Sequence, residues 1–510
     1  MIPIQRNVSI CFSPDDLELF SKASHDSNPL HLSDSYARKT PFAKRVVFGV
    51  LGSLFGLGHL QDRPGLRLGK IVLDFSGPLF VDVPYSLEIV ETSLEKAVVR
   101  IYDGRRLLSK VTAHFQSGNP MRFKAMLSRA ARTEPLALSP SDLAGGYQVK
   151  ETYCPDISSL RVLTDRLGLF EKGIGEVEAA TLLWSSYFVG MELPGCQALF
   201  SKFSLNFDGS SEDLTTPISY AASVIRLDDR YNLLRTKVEL AANGMSLAVG
   251  EIQSFIRPTP PTSTLESIET LMPGSEALKG KVALVTGASR GLGATIAQSL
   301  ALQGCTVLVN FLRSYSEAEQ LRTTAGKVSG EIVLMQGDAS DLSWCLSAKQ
   351  EIIEKYGKLD FLICNACPAI LPLWIEPTAI DRVNDYVSKS LALMSVPMST
   401  FLNLISEYSG SVTVVSSTVV SHSTPSDWPH YTSAKYAIEG LTKVAVAEYT
   451  QVNFLLVRPP KLLTGQTNTP IGRQGAISAE EVAVKIVERL KGLSCSGHLE
   501  ILEDVWEAPK

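Results

Sequence analysis

The rhythm of apolar and polar residues changes twice along the chain. The first 118 residues open with a loop and one strongly apolar, glycine-bearing stretch over 46–60, which is too short to span a bilayer and predicts a buried helix. Four strand-like runs follow, at 67–75, 85–92, 96–102 and 107–115. The later runs alternate with a period of two, as a half-buried antiparallel sheet requires. A less regular connector over 119–145 carries Arg122, Lys124, Arg129 and Arg132. Residues 146–256 then repeat the first plan loosely. Helical stretches near 157–170 and 175–189 precede strands at 198–207, 218–227, 231–241 and 245–255. The likeness between 1–118 and 146–256 is one of element order and not of residues.

Arg257-Pro-Thr-Pro-Pro starts a linker that ends near Leu278, because prolines remove backbone donors and favour extended chain. Beyond it strands alternate with helices over 278–510, the pattern of a doubly wound parallel sheet. A chain of 510 residues suits about three domains of roughly 150 residues. The hydrophobic content of 45% is enough for several cores. A net charge of −5 gives no reason to expect a nucleic-acid partner. Met1-Ile-Pro-Ile-Gln-Arg lacks the basic-then-apolar layout of a signal peptide. Eight scattered cysteines suit a reducing cytoplasm, so no membrane partner and a cytoplasmic location are expected. Cys364-Asn-Ala-Cys367 is half a zinc site at best, so no metal is expected. These residues end a strand predicted at 359–363.

Two constellations carry chemistry. In Tyr431-Thr-Ser-Ala-Lys435 the phenol and the ammonium share one helix face. A phenol so placed can give a proton to a carbonyl while the cation favours the phenolate left behind. Upstream, Lys281-Val-Ala-Leu-Val-Thr-Gly287-Ala-Ser-Arg-Gly291-Leu-Gly293 reads as a strand, a three-glycine turn and a helix start. Together these resemble the short-chain dehydrogenase/reductase family, from about Leu278 onward. The resemblance implies that Ser417 orients a carbonyl, with adjacent Ser416 as the alternative, that Tyr431 donates the proton, and that Lys435 holds the ribose and tunes Tyr431. It also implies that Gly287, Ser289, Arg290, Gly291 and Gly293 surround a pyrophosphate, that Asp338 meets the adenine, and that Asn365 and Thr464 complete the cofactor site. The strand 307–310 ends in Asn310-Phe-Leu-Arg313, without the acid that would bind free ribose hydroxyls, and Asn310 and Arg313 are expected among the cofactor contacts. With Arg290 and Arg313 suited to a 2′-phosphate, the expected cofactor is NADPH (NADP). The chain departs from the family at Cys364-Asn365-Ala366-Cys367, at Ser390 in place of a relay asparagine, and at Pro459-Pro460.

The second constellation is Ser24-His25-Asp26-Ser27-Asn28-Pro29-Leu30-His31, where Asn-Pro makes a turn that can bring Asp26 and His31 around one pocket. A basic loop and a helix at Phe48-Gly49-Val50-Leu51 follow. That order resembles the MaoC-like hydratases and dehydratases of the hot-dog fold over residues 10–116. The resemblance implies that Asp26 and His31 share the acid and base work, and that the Gly49 amide serves the thioester oxygen. His25 is read as structural. No second Asp-x-Asn-Pro-x-His occurs in 146–256, which reads as a degenerate partner that completes a long tunnel. The expected architecture is an α+β double hot-dog domain (1–118 and 146–256) followed by an α/β Rossmann-like doubly wound sheet (278–510).

A reductase and a dehydratase on one chain imply consecutive steps on an acyl thioester in fatty acid or polyketide assembly. The alternatives are hydratase with 3-hydroxyacyl-CoA dehydrogenase in β-oxidation, or a dehydratase beside an inactive nucleotide-binding domain. Arg38, Lys39, Lys44 and Arg45 suit the phosphates of coenzyme A or an acidic acyl carrier protein. Association into a homo-oligomer fits both families.

Overall fold

The computed structural model describes residues 4–124, 130–143, 146–208, 213–326, 328–422, 424–492, 497–503 and 505–506, so Arg129 lies outside the described residues. The chain forms two compact units, one on residues 1–259 with 469–471 and one on residues 260–468 and 472–510.

The first unit is built on a single antiparallel sheet of ten strands. Its first half holds β1 (Ile4–Ile10), β2 (Leu66–Phe75), β3 (Tyr85–Ser93), β4 (Lys96–Asp103) and β5 (Arg106–Ser117). The second half holds β6 (Gln148–Tyr153), β7 (Ala198–Phe207), β8 (Ile218–Asp228), β9 (Leu233–Ala242) and β10 (Met245–Ile256). The order across the sheet is β1-β3-β4-β5-β2-β7-β10-β9-β8-β6, so both halves read alike outward from the centre. They join where β2 pairs with β7, with Lys70 opposite Asn206 and Asp74 opposite Lys202. That pairing closes an edge that each half alone would expose.

Helices Gly49–Gly58 and Glu176–Tyr187 pack on each other, as do the outer helices Pro14–Ser24 and Ile157–Arg166. The first of these helices sits close on the sheet because glycines face it. A Cβ at Gly56 would lie 2.7 Å from Val99 Cγ1, and one at Gly52 would lie 3.6 Å from Ile101 Cδ1, both on β4. Leu51, Leu54 and Leu57 are fully buried beside them, each worth roughly 2 kcal/mol of burial. One continuous apolar core runs through both halves.

The eight strand runs read from the sequence in this unit are all present, within about two residues. The outermost strands β1 and β6 and the helix Pro14–Ser24 are additional. The two strands are short and lie at the sheet edges, where little alternation is imposed. The helix is marked by Ser13, whose hydroxyl accepts from the Asp16 amide while Asp16 accepts from the Ser13 amide. The linker after Arg257 is not wholly extended: Thr264 caps a short helix, Leu265–Leu271.

The second unit has seven parallel strands: β11 (Val282–Val285), β12 (Thr306–Phe311), β13 (Glu331–Gln336), β14 (Phe361–Cys364), β15 (Ser411–Val415), β16 (Asn453–Val457) and β17 (Leu499–Leu502). Their order is β13-β12-β11-β14-β15-β16-β17. The order reverses between β11 and β14, which opens a crevice at the strands' carboxyl ends. Residues of β11, β14, β15 and β16 are buried throughout, as a sheet covered on both faces requires. No described helix is long and apolar enough to cross a membrane.

Candidate active sites

In the first unit the helix Pro14–Ser24 stops at His25, which takes a left-handed conformation (φ 58°) and turns the chain inward. Asp26 follows and is 1% exposed. Its Oδ1 accepts from the Asn28 amide at 3.1 Å, and its Oδ2 accepts from the Ser186 hydroxyl at 2.8 Å. Burial pushes its carboxyl up to about 7, against the pull of Ser186 and of the Asn28 amide. Asn28 caps the next turn by accepting from the Leu30 amide at 3.0 Å, with Pro29 preset at the helix start. The Asn28 side-chain amide donates to Gly190 O at 2.8 Å.

His31 stacks on Phe48 with ring centroids 3.9 Å apart. Its Nδ1 lies 2.6 Å from Val46 O. A carbonyl only accepts, so Nδ1 carries the proton and Nε2 keeps a free lone pair. Burial holds this imidazole down at about 4, although one edge of the residue stays accessible. Gly49 is the first residue of the helix Gly49–Gly58, where amides lack helical partners. A Cβ there would strike the Phe75 ring at 2.8 Å.

The reading of the sequence did not foresee Ser186, Gly190 or Arg257, which come from the second half. Ser186 sits near the end of the helix Glu176–Tyr187, which continues as a π-turn over Phe188–Glu192. A Cβ at Gly190 would lie 2.7 Å from Asp26 Oδ1, so only glycine leaves room for the carboxylate. His25 is apart from this cluster, and burial lowers its pKa against the charge of Asp156. Of the basic loop, Arg45 pairs with Asp34 at 3.2 Å, while Lys39 and Lys44 are exposed.

In the second unit the glycine turn joins β11 to the helix Gly291–Leu302. Gly287 and Gly291 have φ of 64° and 56°, which side chains rarely adopt. A Cβ at Gly293 would lie 2.5 Å from Asn365 Nδ2. Ser289 is half-buried, Arg290 exposed, and a Cβ at Gly291 would meet Thr464 Cγ2 at 4.0 Å. Asn365 donates to Thr286 O (3.1 Å) and Gly287 O (3.2 Å), which fixes the turn from β14.

Asn310 corrects one expectation. It is buried, with Oδ1 accepting from the Gly287 amide and Nδ2 donating to Met335 O and Gly337 O. Its side chain braces the glycine turn and is spent on backbone, so it has no free atom for a ribose. Arg313 is exposed. Burial works against the charge of Asp338, but Ser340, Lys389 and Arg313 together hold its carboxyl below the usual value.

Tyr431 and Lys435 lie on the helix Pro429–Glu448, with Lys435 Nζ 5.5 Å from the Tyr431 ring centroid. Lys435 is buried and donates to Val415 O at 2.8 Å, which anchors it to the end of β15. Ser417 lies beside the Tyr431 phenol and offsets part of the rise in its pKa. Ser416 is committed elsewhere, donating to Glu439 at 2.6 Å. Burial raises the phenol's pKa, the Lys435 charge pulls it back, and Cys367 adds to the rise. The phenol therefore keeps its proton near neutral pH.

Residues 3–106 match the model of the MaoC-like domain, and residues 281–476 match that of the short chain dehydrogenase. The chain joins a MaoC-like domain to a short-chain dehydrogenase domain. It is 30% identical over 174 residues to hydroxynaphthalene reductase of Aspergillus fumigatus, covering 34% of this chain and 62% of that one. It is 38% identical over 89 residues to elsinochrome reductase 1 of Elsinoe fawcettii, covering 18% and 33%. The chain thus spans about a third to three fifths of these relatives' length. Among solved structures, an alcohol dehydrogenase from Thermococcus sibiricus complexed with 5-hydroxy-NADP aligns at a TM-score of 0.40 and 24% identity, covering 45% of this chain and 99% of that one.

Tyr386 lies near the positions where the dehydrogenase domain departs from its family pattern. Ser390 is buried one helical turn beyond Tyr386. The Tyr386 hydroxyl lies 3.4 Å from Cys367 Sγ and donates to Pro368 O at 3.2 Å. Its ring stands edge-on to His430 at 4.4 Å. Tyr386 is thus a second phenol near Tyr431, and burial raises its pKa strongly. Cys364 is buried at the end of β14, whereas Cys367 is exposed.

Proposed function

We propose that this chain is a bifunctional enzyme of fatty acid or polyketide assembly. Its dehydrogenase domain reduces a 3-oxoacyl thioester with NADPH, and its MaoC-like domain dehydrates the 3-hydroxyacyl product. The observation that carries the reading is the geometry of the first unit's motif, where both Asp26 oxygens are held and His31 Nδ1 is bound to Val46 O, which leaves Nε2 as the base. A carboxyl lifted to about 7 and an imidazole lowered to about 4 form a pair whose environments divide acid from base. Neutral His31, through Nε2, takes the Cα proton. Asp26, which still holds its proton on a large fraction of molecules near neutrality, protonates the departing hydroxyl. The C–O bond breaks, water leaves and the Cα=Cβ bond forms. The helix-start amide of Gly49 is the donor for the thioester oxygen as it gains negative charge.

In the dehydrogenase domain, the glycine cradle and the Gly291–Leu302 helix start fit a dinucleotide pyrophosphate. When bound there, the nicotinamide supplies a hydride for the carbonyl carbon. Ser417 holds the carbonyl oxygen, Tyr431 gives it a proton, and Lys435 steadies the phenolate. The exposed cations Arg290 and Arg313, with Asn310 spent on backbone, favour a 2′-phosphate and hence NADPH over NADH. We also infer that residues 146–256 form a second, degenerate hot dog, since they mirror the first half's strand order. Fusion raises the local concentration of the intermediate between the two steps.

The test supplies purified protein with NADPH and 3-oxoacyl thioesters of coenzyme A and of acyl carrier protein, and follows products by mass. Reading and sites stand if enoyl thioester forms, if Tyr431→Phe stops only the reduction, and if His31→Ala stops only the dehydration. Absence of turnover on both carriers would overturn the assignment.

A further inference from the structure

We propose that Arg257 is a positioning residue of the MaoC-like site, a cation from the second half that locks the catalytic loop and bears on His31. This rests on the dehydratase reading above. Arg257 directly follows β10 and is 3% exposed. Its guanidinium donates to the Tyr36 hydroxyl at 2.8 Å and to Cys196 O at 2.9 Å. Its own amide donates to Gln197 O at 2.9 Å. Tyr36 also donates to Cys196 O at 3.0 Å, and the Cys196 thiol reaches the same hydroxyl at 3.2 Å. Tyr36 lies on Asp34–Ala37, the helical turn that directly follows the Asp26–His31 motif. One guanidinium therefore ties the motif's downstream end to the loop after the π-turn. Asn28, bonded to Gly190 O, ties its upstream end to the same element.

Two features mark Arg257 as more than a brace. Its Nε is buried without a hydrogen-bond partner among the described residues. No carboxylate among the described residues pairs with it, which is an expensive way to bury a cation. Its field falls on His31 and disfavours the imidazolium. The other neighbours that bear on His31 are Val46 O and the Phe48 ring, while the Tyr36 phenol and Cys196 thiol are bound to the guanidinium itself. Arg257 thus adds to the burial that keeps His31 neutral and supplies positive potential beside a site where an oxygen gains negative charge.

The experiment compares Arg257→Gln, which removes the charge, with Arg257→Lys, which keeps the charge but loses the planar fork. His31 is titrated by NMR, its resonance identified among the seven histidines by its loss in His31→Gln. Arg257→Gln should raise the His31 midpoint by at least about half a unit, and shift the acid limb of dehydration by the same amount. Arg257→Lys should leave the midpoint in place while kcat falls about tenfold, because Tyr36 is no longer held. If Arg257→Gln fails to fold, a Lys midpoint equal to the native one with lowered kcat still supports the proposal. An unchanged midpoint in Arg257→Gln, or equal rates in Arg257→Lys and the native protein, would overturn it. The titration needs no turnover: a shifted midpoint in a protein that dehydrates no thioester would sink the dehydratase reading and leave the electrostatic role standing.

Discussion

The two halves of the ten-stranded sheet share strand order and helix plan, yet only one carries the Asp-x-Asn-Pro-x-His motif. They differ in the segment between outer and central helix. In the first half it is the long stretch 25–48, and in the second the short stretch 167–175. The long stretch has room for Asp26, Asn28, His31 and the capped turns that orient them. The short one turns through Gly168 and Gly173 and enters the next helix directly. The mates meet at comparable places. A Cβ on Gly190, just past the second central helix, would strike Asp26, and one on Gly58, at the end of the first, would strike Leu167 O at 2.7 Å. Beside 167–175 lies a cavity of about 1040 Å³ lined by Arg63, Arg122, Phe170 and Glu171, with no histidine. Arg63 there is bound to Glu91, and Arg122 lies over the Phe170 ring. On the proposed reading the two halves divide the work: one holds the Asp26–His31 motif, and the other supplies Ser186, Gly190 and Arg257 around it.

The sharpest break in that comparison comes from disabling each side. Asp26→Asn or His31→Ala should lower dehydration by about 10³-fold or more, with ketone reduction unaffected. Glu171→Gln, in the corresponding segment of the second half, should leave both rates near native. Separate assays of NADPH consumption and enoyl formation check this. A comparable loss in Glu171→Gln would mean the second half is catalytic after all.

A finer cut uses the two glycines. Gly190→Ala places a methyl against the Asp26 carboxylate and should cost dehydration about 10- to 100-fold. Gly58→Ala crowds a carbonyl of the short segment, so it should lower the melting temperature and leave dehydration within about twofold. If the pair behave alike, the π-turn does not shape the site.

Much of this was legible in the chain itself. The Asp26–His31 spacing, the glycine turn and the Tyr431–Lys435 pair are local patterns, and local geometry preserves them. What escaped was contributed from far away in sequence. Ser186, Gly190 and Arg257 lie 160 or more residues from the groups they touch, on a half without a motif of its own. Asn310 was misread because its position suggested a cofactor contact, whereas its amide is drawn into the backbone of β13 and the glycine turn. The edge strands β1 and β6 escaped because edges impose weak alternation.

The smallest effect separates the halves through pH and stability. The unfolded chain loses the Asp26 proton near 3.8, while the folded protein holds it to about 7. Between those values the folded state binds more protons, so stability falls as pH rises, by an upper limit on the order of 4 kcal/mol. His31 acts in the opposite sense. Its folded pKa of about 4 lies below 6.5, so its stability contribution is lost as pH falls through that window. Glu178, buried in the second half, is also raised to about 7 and shares the sign of Asp26. Asp26→Asn should therefore raise the melting temperature more at pH 8 than at pH 4.5, because it removes one of the buried carboxylates that resist ionising. Glu178 accepts from two backbone amides, Met121 and Gly175, whereas Asp26 takes one amide and a rotatable hydroxyl, so Glu178→Gln gives up more fixed bonds along with its charge. It should gain less at pH 8 and lose stability at pH 4.5. Calorimetry of both variants across pH 4–8 reads the contrast directly. Equal pH slopes in the two variants would mean that the first half's carboxyl is as structural as the second's, and that its raised pKa is not the mark of an acid kept for catalysis.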